Sequence, residues 1–381
     1  MIINSQKRSF GIGPKVSVFT LGTMRAIESA IKMYDIIKLA HCAGINHLET
    51  APSYGKAEIF IGEALNKLNK FEKISKENWV ITTKILPKGS FNELKEKFFD
   101  SLINLNVKKI NNLAFHGLNL FEHLEWVLEG EGRKFINWLL SKNLIDQIGF
   151  SSHGDFQLIN SAINSDIFNF CSLHLHLFDQ SKIPLARKAL NKNMGVMAIS
   201  PADKGGKLHL PSDILKEASL PYHPLEIAYR FLLSEGITTL SLGASKPNDF
   251  DLPIKLANAT QKLSKLEIDA IKNIEAESNK RLGITKCEQC RACLPCPNEV
   301  PIPEILRLRN IYIGNGQKEF AKERYNLIGR AGHWWETKNG NNCMSCNFCV
   351  PKCPNKLDIP SLLKETHHLL LDKPKKRLWS Q

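Results

Sequence analysis

Short apolar runs alternate with longer helical segments through the first 260 residues. In the longer segments, such as 57–68 and 225–232, apolar residues recur at helical spacing. The short runs are rich in β-branched residues and are bounded by polar ones, which predicts strands. Eight such strands are predicted, at 16–21, 45–51, 79–85, 110–116, 145–151, 168–177, 195–200 and 237–243. Because strands and helices alternate, we expect a parallel sheet of the α/β class.

The number and size of these units favour a closed barrel. Eight strand–helix units in about 230 residues match a (β/α)8 TIM barrel. A doubly wound open sheet is the alternative within the same class. It is disfavoured because no glycine-rich phosphate loop follows the first strand. Residues 1–15 are predicted to form a small hairpin below the barrel.

Cysteines dominate the chain after residue 280. Eight of the ten cysteines lie in two compact runs, each of which ends in Cys-Pro. The runs are Cys287, Cys290, Cys293 and Cys296, and Cys343, Cys346, Cys349 and Cys353. The second run has the spacing of bacterial ferredoxins, in which three thiolates hold one [4Fe–4S] cluster and the fourth ligates the other. We therefore predict two [4Fe–4S] clusters as cofactors.

The ligand assignment has two forms. Crossed ligation would join Cys287, Cys290 and Cys293 with Cys353, and Cys343, Cys346 and Cys349 with Cys296. The first run is one residue shorter before its last cysteine, so uncrossed ligation is the alternative. Segments 296–306 and 353–363 align at an offset of 57, which reveals an internal repeat. Each repeat predicts a helix that starts near its Ile-Pro pair, at Pro303 and Pro360.

Other uses of the cysteines explain less. Zinc accepts Cys-x-x-Cys pairs, but it does not account for the third cysteine or for the Cys-Pro endings. Disulfides need an oxidising compartment, and the N-terminal residues lack the apolar region of a secretory signal. A cytoplasmic protein is therefore predicted. Cys42 and Cys171 lie in apolar surroundings and are predicted core residues.

Length and charge suggest the domain organisation. We predict the barrel at 1–260, a helical linker at 261–280 and a small α-helical ferredoxin-like domain at 281–381. The net charge is +13, and 17 Lys and Arg against 9 Asp and Glu lie from residue 281 onward. Anionic clusters would offset about half of this excess. The remaining charge would either attract an acidic one-electron carrier, such as a ferredoxin or flavodoxin, or serve to keep the protein soluble.

Two classes of partner are not expected. No run of 18 apolar residues is present, so no membrane span is predicted. The basic segment 373–377 lacks interleaved aromatic residues and any nucleic-acid motif. We interpret it as a solvated tail, and no nucleic-acid partner is predicted.

The predicted strand ends carry polar residues, and barrel enzymes place their chemistry at these ends. Strand two leads into Glu49-Thr-Ala-Pro-Ser-Tyr54-Gly, strand three ends near Lys84, and strand four ends in His116. Together with Gly22-Thr-Met after strand one, these motifs resemble the aldo/keto reductase family over roughly residues 8–260. The barrel and the cysteine tail together resemble predicted aldo/keto reductases that carry a ferredoxin-like C-terminal domain.

The resemblance implies an NAD(P)H-dependent oxidoreductase that acts on a small carbonyl or alcohol substrate. Tyr54 is then the proton donor, and Lys84 is expected to lower its pKa by favouring the phenolate. Glu49, where the family usually has Asp, holds the lysine, and His116 orients the carbonyl.

The resemblance also implies contacts with NADP(H) or NAD(H). The implied nucleotide-binding residues are Gly22, Thr23, Met24, Ser151, Ser152, Ser172, Ser200, Gly243, Ser245 and Lys246. Ser152 and Ser172 replace the Asn and Gln that usually bind the nicotinamide, and Ile199 replaces a stacking aromatic residue. Asp249 stands where an Arg often meets the 2′-phosphate, and its carboxylate would repel that phosphate. Lys246 is the only cation in the loop 243–247.

The leading interpretation is an oxidoreductase that couples carbonyl chemistry to electron transfer through two clusters. One alternative is an electron-transfer docking module whose barrel no longer binds nicotinamide. Another is a structural protein stabilised by its clusters. Retention of Tyr54, Lys84 and His116 favours the enzyme, whereas the altered nicotinamide positions favour the alternatives.

Overall fold

The computed structural model describes residues 4–203, 207–330 and 337–373, so 374–377 of the basic segment lie outside it. The described chain divides into two compact units. The first consists of 4–203 and 228–263, and the second of 207–227, 264–330 and 337–373. These bounds differ from the predicted ones, which place 207–227 in the barrel and 261–280 in a linker.

The first unit is built on a closed sheet. An antiparallel hairpin comes first, made of β1 (Lys7–Arg8) and β2 (Val16–Ser17). Eight parallel strands follow: β3 (Phe19–Gly22), β4 (His47–Glu49), β5 (Val80–Ile85), β6 (Ile110–Phe115), β7 (Ile145–Ser152), β8 (Phe170–His174), β9 (Gly195–Ile199) and β10 (Thr239–Leu242). Each strand pairs with the next and β10 pairs with β3, so the sheet closes. The predicted barrel is confirmed, and the open-sheet alternative is wrong.

Helices connect the strands. They are α1 (Ala30–Cys42), α2 (Ala57–Glu72), α3 (Phe91–Leu105), α4 (Phe121–Glu129), α5 (Glu131–Ser141), α6 (Phe156–Asn164), α7 (Ile183–Asn191), α8 (Asp213–Ala218) and α9 (Pro224–Ser234), and α10 (Asp251–Leu256) follows the last strand. Local signals set their ends. A capping box between Ser90 and Glu93 starts α3, and Asn106, in the left-handed conformation, ends it.

A hydrogen-bonded polar chain crosses the lower barrel interior. His47 Nδ1 and Nε2 each lie 2.7 Å from a threonine hydroxyl, on Thr20 and Thr82 respectively. Asn112 Nδ2 donates to Thr82 Oγ1 at 3.0 Å, and Gln147 Nε2 donates to Asn112 Oδ1 at 2.8 Å. Burial lowers the pKa of His47 to about 3, and Lys84 adds to the shift. The neutral imidazole therefore links neighbouring strands without a buried charge.

The N-terminal hairpin closes the lower end of the barrel, in the place that the sequence predicted for it. Phe10 is fully buried, and its ring centroid lies 5.4 Å from that of His47 and 5.0 Å from that of Phe170. Gln147 Oε1 accepts a hydrogen bond from the backbone N–H of Ile12 at 3.1 Å. The hairpin thus packs against the rings of His47 and Phe170 and hydrogen-bonds to Gln147 of the polar chain.

The second unit contains α8, α11 (Lys265–Leu282), α12 (Ile302–Ile313), α13 (Lys318–Tyr325) and α14 (Ile359–Leu370). Helix α11 belongs here because it contacts α8 and α12. Helices α12 and α14 each begin at the Ile before the repeated proline, as predicted. They contact each other, and Arg309 on α12 binds both carboxylate oxygens of Glu365 on α14, at 3.1 and 3.3 Å.

A tyrosine anchors the segment that leads into the second cysteine run. The backbone N–H of Gly340 donates to the Tyr325 hydroxyl at 2.9 Å, and this hydroxyl lies 2.7 Å from His367 Nδ1.

Six short 3-10 turns complete the described structure, at Thr23–Arg25, Lys76–Asn78, Lys207–His209, Pro247–Phe250, Gly283–Thr285 and Gly340–Asn342. Among the described residues, no helix combines the length and apolar character needed to cross a membrane.

The two cysteines outside the runs differ. Cys171 on β8 is fully buried, as predicted, and burial raises its pKa to about 12. Cys42 is exposed, so its prediction as a core residue is wrong. It is the last residue of α1, whose buried positions, including Ile36 and Ala40, lie on another face of the helix.

We predict that Gly62 allows α2 to approach the end of α3. A Cβ at Gly62 would lie 2.2 Å from the Asn104 carbonyl oxygen and 2.9 Å from the Leu105 carbonyl carbon. Gly62→Ala must therefore displace backbone, and we expect a loss of about 1–3 kcal/mol in the free energy of unfolding. Denaturant titration measures this loss. Glu63→Ala, at the exposed neighbouring position, is the control and should change stability by less than about 0.5 kcal/mol. Unchanged stability in Gly62→Ala would contradict the close approach.

Candidate functional site

Three of the four predicted catalytic residues come from neighbouring strands. Glu49 is the last residue of β4, Lys84 lies near the end of β5, and His116 directly follows β6. Alternate residues of a strand face the same side. Glu49 and Lys84 therefore share the interior face with His47 and Thr82, one layer nearer the carboxyl ends. Tyr54 reaches the same place from the loop between β4 and α2, and the structure brings all four together.

A buried ion pair forms the centre of this group. Lys84 Nζ contacts the Glu49 carboxylate, and both residues are at most 4 % exposed. Lys84 Nζ also donates to the Thr50 carbonyl oxygen and to the Tyr54 hydroxyl, each at 3.0 Å. The Tyr54 hydroxyl donates to Glu49 Oε1 at 3.5 Å. The ring of His116 stands edge-on to that of Tyr54, with centroids 5.9 Å apart, and His116 Nδ1 lies 3.3 Å from Ser53 Oγ.

The titration of Tyr54 differs from the expectation. Burial raises the pKa of Tyr54, whereas the family resemblance implies that Lys84 lowers it. The charge of Lys84 is paired with Glu49, so the phenol faces an almost neutral pair rather than a lone cation. Burial also lowers the pKa of Lys84. Tyr54 therefore keeps its proton at neutral pH.

The segment after β3 lies against the ion pair. The hydroxyl of Thr23, a fully buried residue, donates to the Glu49 carbonyl oxygen at 3.1 Å. A Cβ at Gly22 would lie 2.8 Å from Ser241 Oγ and 3.6 Å from Glu49 Oε2. Met24 is half-buried. The absence of a side chain at Gly22 thus permits the close approach of Ser241.

Ser151 and Ser152 are both buried, and their hydroxyls are bonded within the protein. Ser151 Oγ accepts from the backbone N–H of Gly117 at 3.0 Å. Ser152 Oγ donates to the Leu118 carbonyl oxygen at 2.6 Å and accepts from the Gly154 N–H at 3.0 Å. Ser152 thus hydrogen-bonds to the protein both as donor and as acceptor. A ligand would compete with these bonds.

Ser172 differs from these two serines. It is fully buried on β8, and among the described residues its hydroxyl has no hydrogen-bond partner. A buried hydroxyl without a partner costs free energy that a ligand's hydrogen bond can recover. Ser200 follows β9, half-buried and with a left-handed backbone at φ 58°. Ser172 is therefore well placed to gain from a bound polar group.

The loop after β10 holds its own anion. Asp249 Oδ2 accepts from the backbone N–H groups of Ser245 at 2.8 Å and of Lys246 at 3.1 Å. The Ser245 hydroxyl lies 3.4 Å from the same oxygen. Successive backbone N–H groups of this kind form a favourable site for an anion. Here the Asp249 carboxylate already accepts hydrogen bonds from these N–H groups. This adds to the repulsion between Asp249 and a 2′-phosphate that the sequence predicts.

Sequence reasoning missed a second cation at this loop. The Arg25 side chain lies 3.2 Å from the position of a Cβ on Gly243. Burial raises the pKa of Tyr229, while Arg25 opposes this shift and Asp249 adds to it, so both charges act on one buried ring. Arg25 follows β3, and the pairing of β3 with β10 brings it to the loop. Barrel closure was the signal that could have revealed it.

The cysteines of the second unit line two cavities. The first-run cavity is lined by Cys287, Cys290, Cys293 and Cys353, and the second-run cavity by Cys343, Cys346, Cys349 and Cys296. Each cavity thus combines three cysteines of one run with the last cysteine of the other. Burial raises the pKa of Cys293 to about 12, and Cys287 adds to the shift because thiolates repel each other.

The two runs share one backbone conformation. Gln289 and Ser345 are left-handed at φ 59° and 53°, and Arg291 and Asn347 at φ 64° and 60°. These pairs are offset by 56 residues, as are the first three cysteines of the runs. The internal repeat is therefore a repeat of backbone geometry as well as of sequence.

Comparison with known proteins identifies the first unit. The model of the aldo/keto reductase family matches residues 19–209. An aldo-keto reductase from Bacillus halodurans superposes with a TM-score of 0.60 at 20 % identity, covering 71 % of this chain and 96 % of that one. An aldose reductase from Giardia lamblia gives a TM-score of 0.56 at 19 % identity, covering 71 % and 94 % respectively. At such identities these structures show a common fold.

The family assignment therefore rests on the sequence match, which spans half of the chain, and the barrel structure agrees with it. This chain belongs to the aldo/keto reductase family of NAD(P)H-dependent oxidoreductases.

Proposed function

We propose that the protein interconverts a small carbonyl compound and its alcohol, and that two [4Fe–4S] clusters connect this step to one-electron carriers. The observation that carries the carbonyl chemistry is the contact of the Tyr54 hydroxyl with the buried Lys84–Glu49 pair, beside His116. The crossed cysteine cavities support the clusters. The hydride of bound NAD(P)H would carry both electrons of one carbonyl reduction. Re-reduction of NAD(P)+ would then take up one proton and two electrons, which the two clusters would supply one at a time.

Each side chain of the barrel site has a distinct part in this proposal. Bound nicotinamide supplies the hydride in the direction of reduction. Tyr54 donates its proton to the carbonyl oxygen as negative charge develops there, so that hydride and proton together yield the alcohol. Lys84 stabilises the phenolate that remains, and Glu49 holds Lys84. His116 hydrogen-bonds to the substrate oxygen and orients it.

The chemistry of the cysteine cavities suits an iron–sulfur cluster. Burial raises the pKa of Cys287, and the nearby Cys290 and Cys353 add to the shift. Thiolates that are disfavoured by burial and by each other need a cationic core to stabilise them. Alternating left-handed residues, such as Gln289 and Arg291, also turn backbone N–H groups into anion-binding concavities found at many Fe–S sites.

A single metal ion fits less well. Within the described ranges, no three Cys, His, Asp or Glu side chains form a group suited to one ion. A cubane cluster requires a different arrangement, because its four thiolates are distributed over four irons. The cavities bring four cysteines around one space, and this arrangement supports the cluster over zinc.

A docking module without nicotinamide is the second candidate. Two observations favour it: the Ser152 hydroxyl is engaged within the protein, and Asp249 binds the backbone N–H groups of its own loop. In this case the barrel would serve to present the clusters to a partner. An acidic ferredoxin or flavodoxin is the partner proposed under either function, because the second unit is basic.

Tyr54→Phe tests the proton donor. We expect a loss of about 100- to 10,000-fold in carbonyl reduction, because the general acid is removed while the volume hardly changes. Lys84→Met should cause a similar loss. Tyr34→Phe is the control, since the Tyr34 hydroxyl bonds to Glu72 on the outer helices. Steady-state turnover with an aldehyde series and NADPH or NADH measures the effect. Wild-type turnover in Tyr54→Phe would instead favour the docking module.

Metal content tests the clusters. Protein prepared without oxygen should contain about eight iron and eight acid-labile sulfide per chain, since eight cysteines supply two four-thiolate sites. Cys349→Ser should lower both values to about half, whereas Cys42→Ser, outside the runs, should change neither. Elemental analysis and sulfide assay measure this. Stoichiometric zinc without iron would contradict the proposal.

Nucleotide titration tests the loop after β10. Asp249→Asn should tighten NADPH by about fivefold relative to NADH, because it removes a negative charge near the expected 2′-phosphate. Arg25→Ala and Lys246→Ala should weaken NADPH more than NADH. Fluorescence titration at low and high salt measures both effects, which should shrink at high salt. If all variants bound the two nucleotides with unchanged preference, the loop would not read the 2′-phosphate.

A further inference from the structure

The two cysteine cavities have similar backbones but different side chains. Gln289 in the first run corresponds to Ser345 in the second, and Arg291 corresponds to Asn347. Since both members of each pair are left-handed, the side chains start from equivalent positions. A difference between the two sites therefore arises from side-chain chemistry.

The first-run cavity has a hydrogen-bond donor on a cysteine sulfur. Gln289 Nε2 donates to Cys287 Sγ at 3.3 Å. In the described part of the chain, the shorter Ser345 makes no corresponding bond to Cys343. The carboxamide of Gln289 is neutral and points its positive end at the sulfur, so it stabilises added negative charge there.

The charges around the cavities also differ. Arg291 and Glu288 both line the first-run cavity, but Lys286 Nζ lies 3.1 Å from Glu288 Oε1 and compensates it. The guanidinium of Arg291 is thus the excess charge. The second-run cavity is lined by Met344 and Phe348 at the positions that correspond to Glu288 and Ala292, and by the neutral Asn347. The Lys352 ammonium lies 3.8 Å from the centroid of the Phe348 ring but does not line the cavity, so the lining itself carries no charged side chain.

These differences act in one direction on reduction. Reduction adds a negative charge to a cluster, and hydrogen bonds to the sulfurs and nearby cations stabilise that charge. We propose that the first-run site has the higher reduction potential and that Gln289 and Arg291 set the difference. An electron that reaches the second-run site then passes to the first-run site, which oxidises the former and reduces the latter. This inference rests on the proposed clusters.

A swap of the corresponding residues gives the sharpest test. Gln289→Ser removes the donor without requiring a new backbone conformation, because Ser345 already occupies the same one. A redox titration of the full chain, followed by electron paramagnetic resonance, should resolve two waves in the wild-type protein. Gln289→Ser should lower only the higher wave, with about a tenfold change in the equilibrium constant, or about 59 mV for one electron.

Further variants separate the donor from the charge. Arg291→Asn, the residue of the second run, should also lower only the higher wave, and Arg291→Lys should restore most of it. Ser345→Ala is the matched control and should move neither wave. If Gln289→Ser failed to hold its cluster, Arg291→Asn and Arg291→Lys would decide the question.

The outcomes separate this inference from the proposed function. A single two-electron wave in the wild-type protein, or a shift of the lower wave in Gln289→Ser or Arg291→Asn, would overturn the asymmetry while leaving the clusters in place. Unchanged potentials in both variants would do the same. Wild-type protein that binds no iron would overturn the proposed function itself, and the asymmetry with it.

Discussion

Closure of the parallel sheet is the constraint on which the first unit depends. In a closed barrel, alternate residues of all eight strands point into one shared interior, and that interior must be filled. Here a hydrogen-bonded chain through His47 fills the lower layer, and the ion pair of Glu49 and Lys84 lies in the next. His47 and Glu49 are two positions apart on β4, and Thr82 and Lys84 are two positions apart on β5. A shift in the register of either strand would therefore disrupt both layers together.

The ion pair is costly to bury, and its surroundings show how the cost is offset. An isolated Lys84 in this place would tend to lose its proton, since burial disfavours its charge. Glu49, the Thr50 carbonyl and the Tyr54 hydroxyl together engage the ammonium. The same contacts fix the hydroxyl of Tyr54 at the mouth of the barrel. The contacts that stabilise the charged pair are therefore the same contacts that position the Tyr54 phenol.

The second unit packs its cysteines against an apolar core. Its buried residues include Cys293 and Cys349 together with apolar side chains of α12 and α14, such as Ile305 and Leu363. Each cavity takes cysteines from both runs, so neither half of the repeat makes a complete site alone. The two halves must pack together for either cavity to form, and for this reason we expect cluster binding and folding of this unit to be coupled.

The sequence by itself determined the barrel, the repeat and the residues that meet around Lys84. The barrel and the repeat follow from local period and spacing, and the carboxyl ends of parallel strands place Glu49, Lys84 and His116 at one rim. The family resemblance adds Tyr54 to this group. Tertiary structure decided what depends on contacts between distant segments. Arg25 meets the loop after β10 only because the sheet closes, and Asp249 binds its own loop only because that loop folds back. The raised pKa of Tyr54 depends on burial, which a linear sequence does not specify.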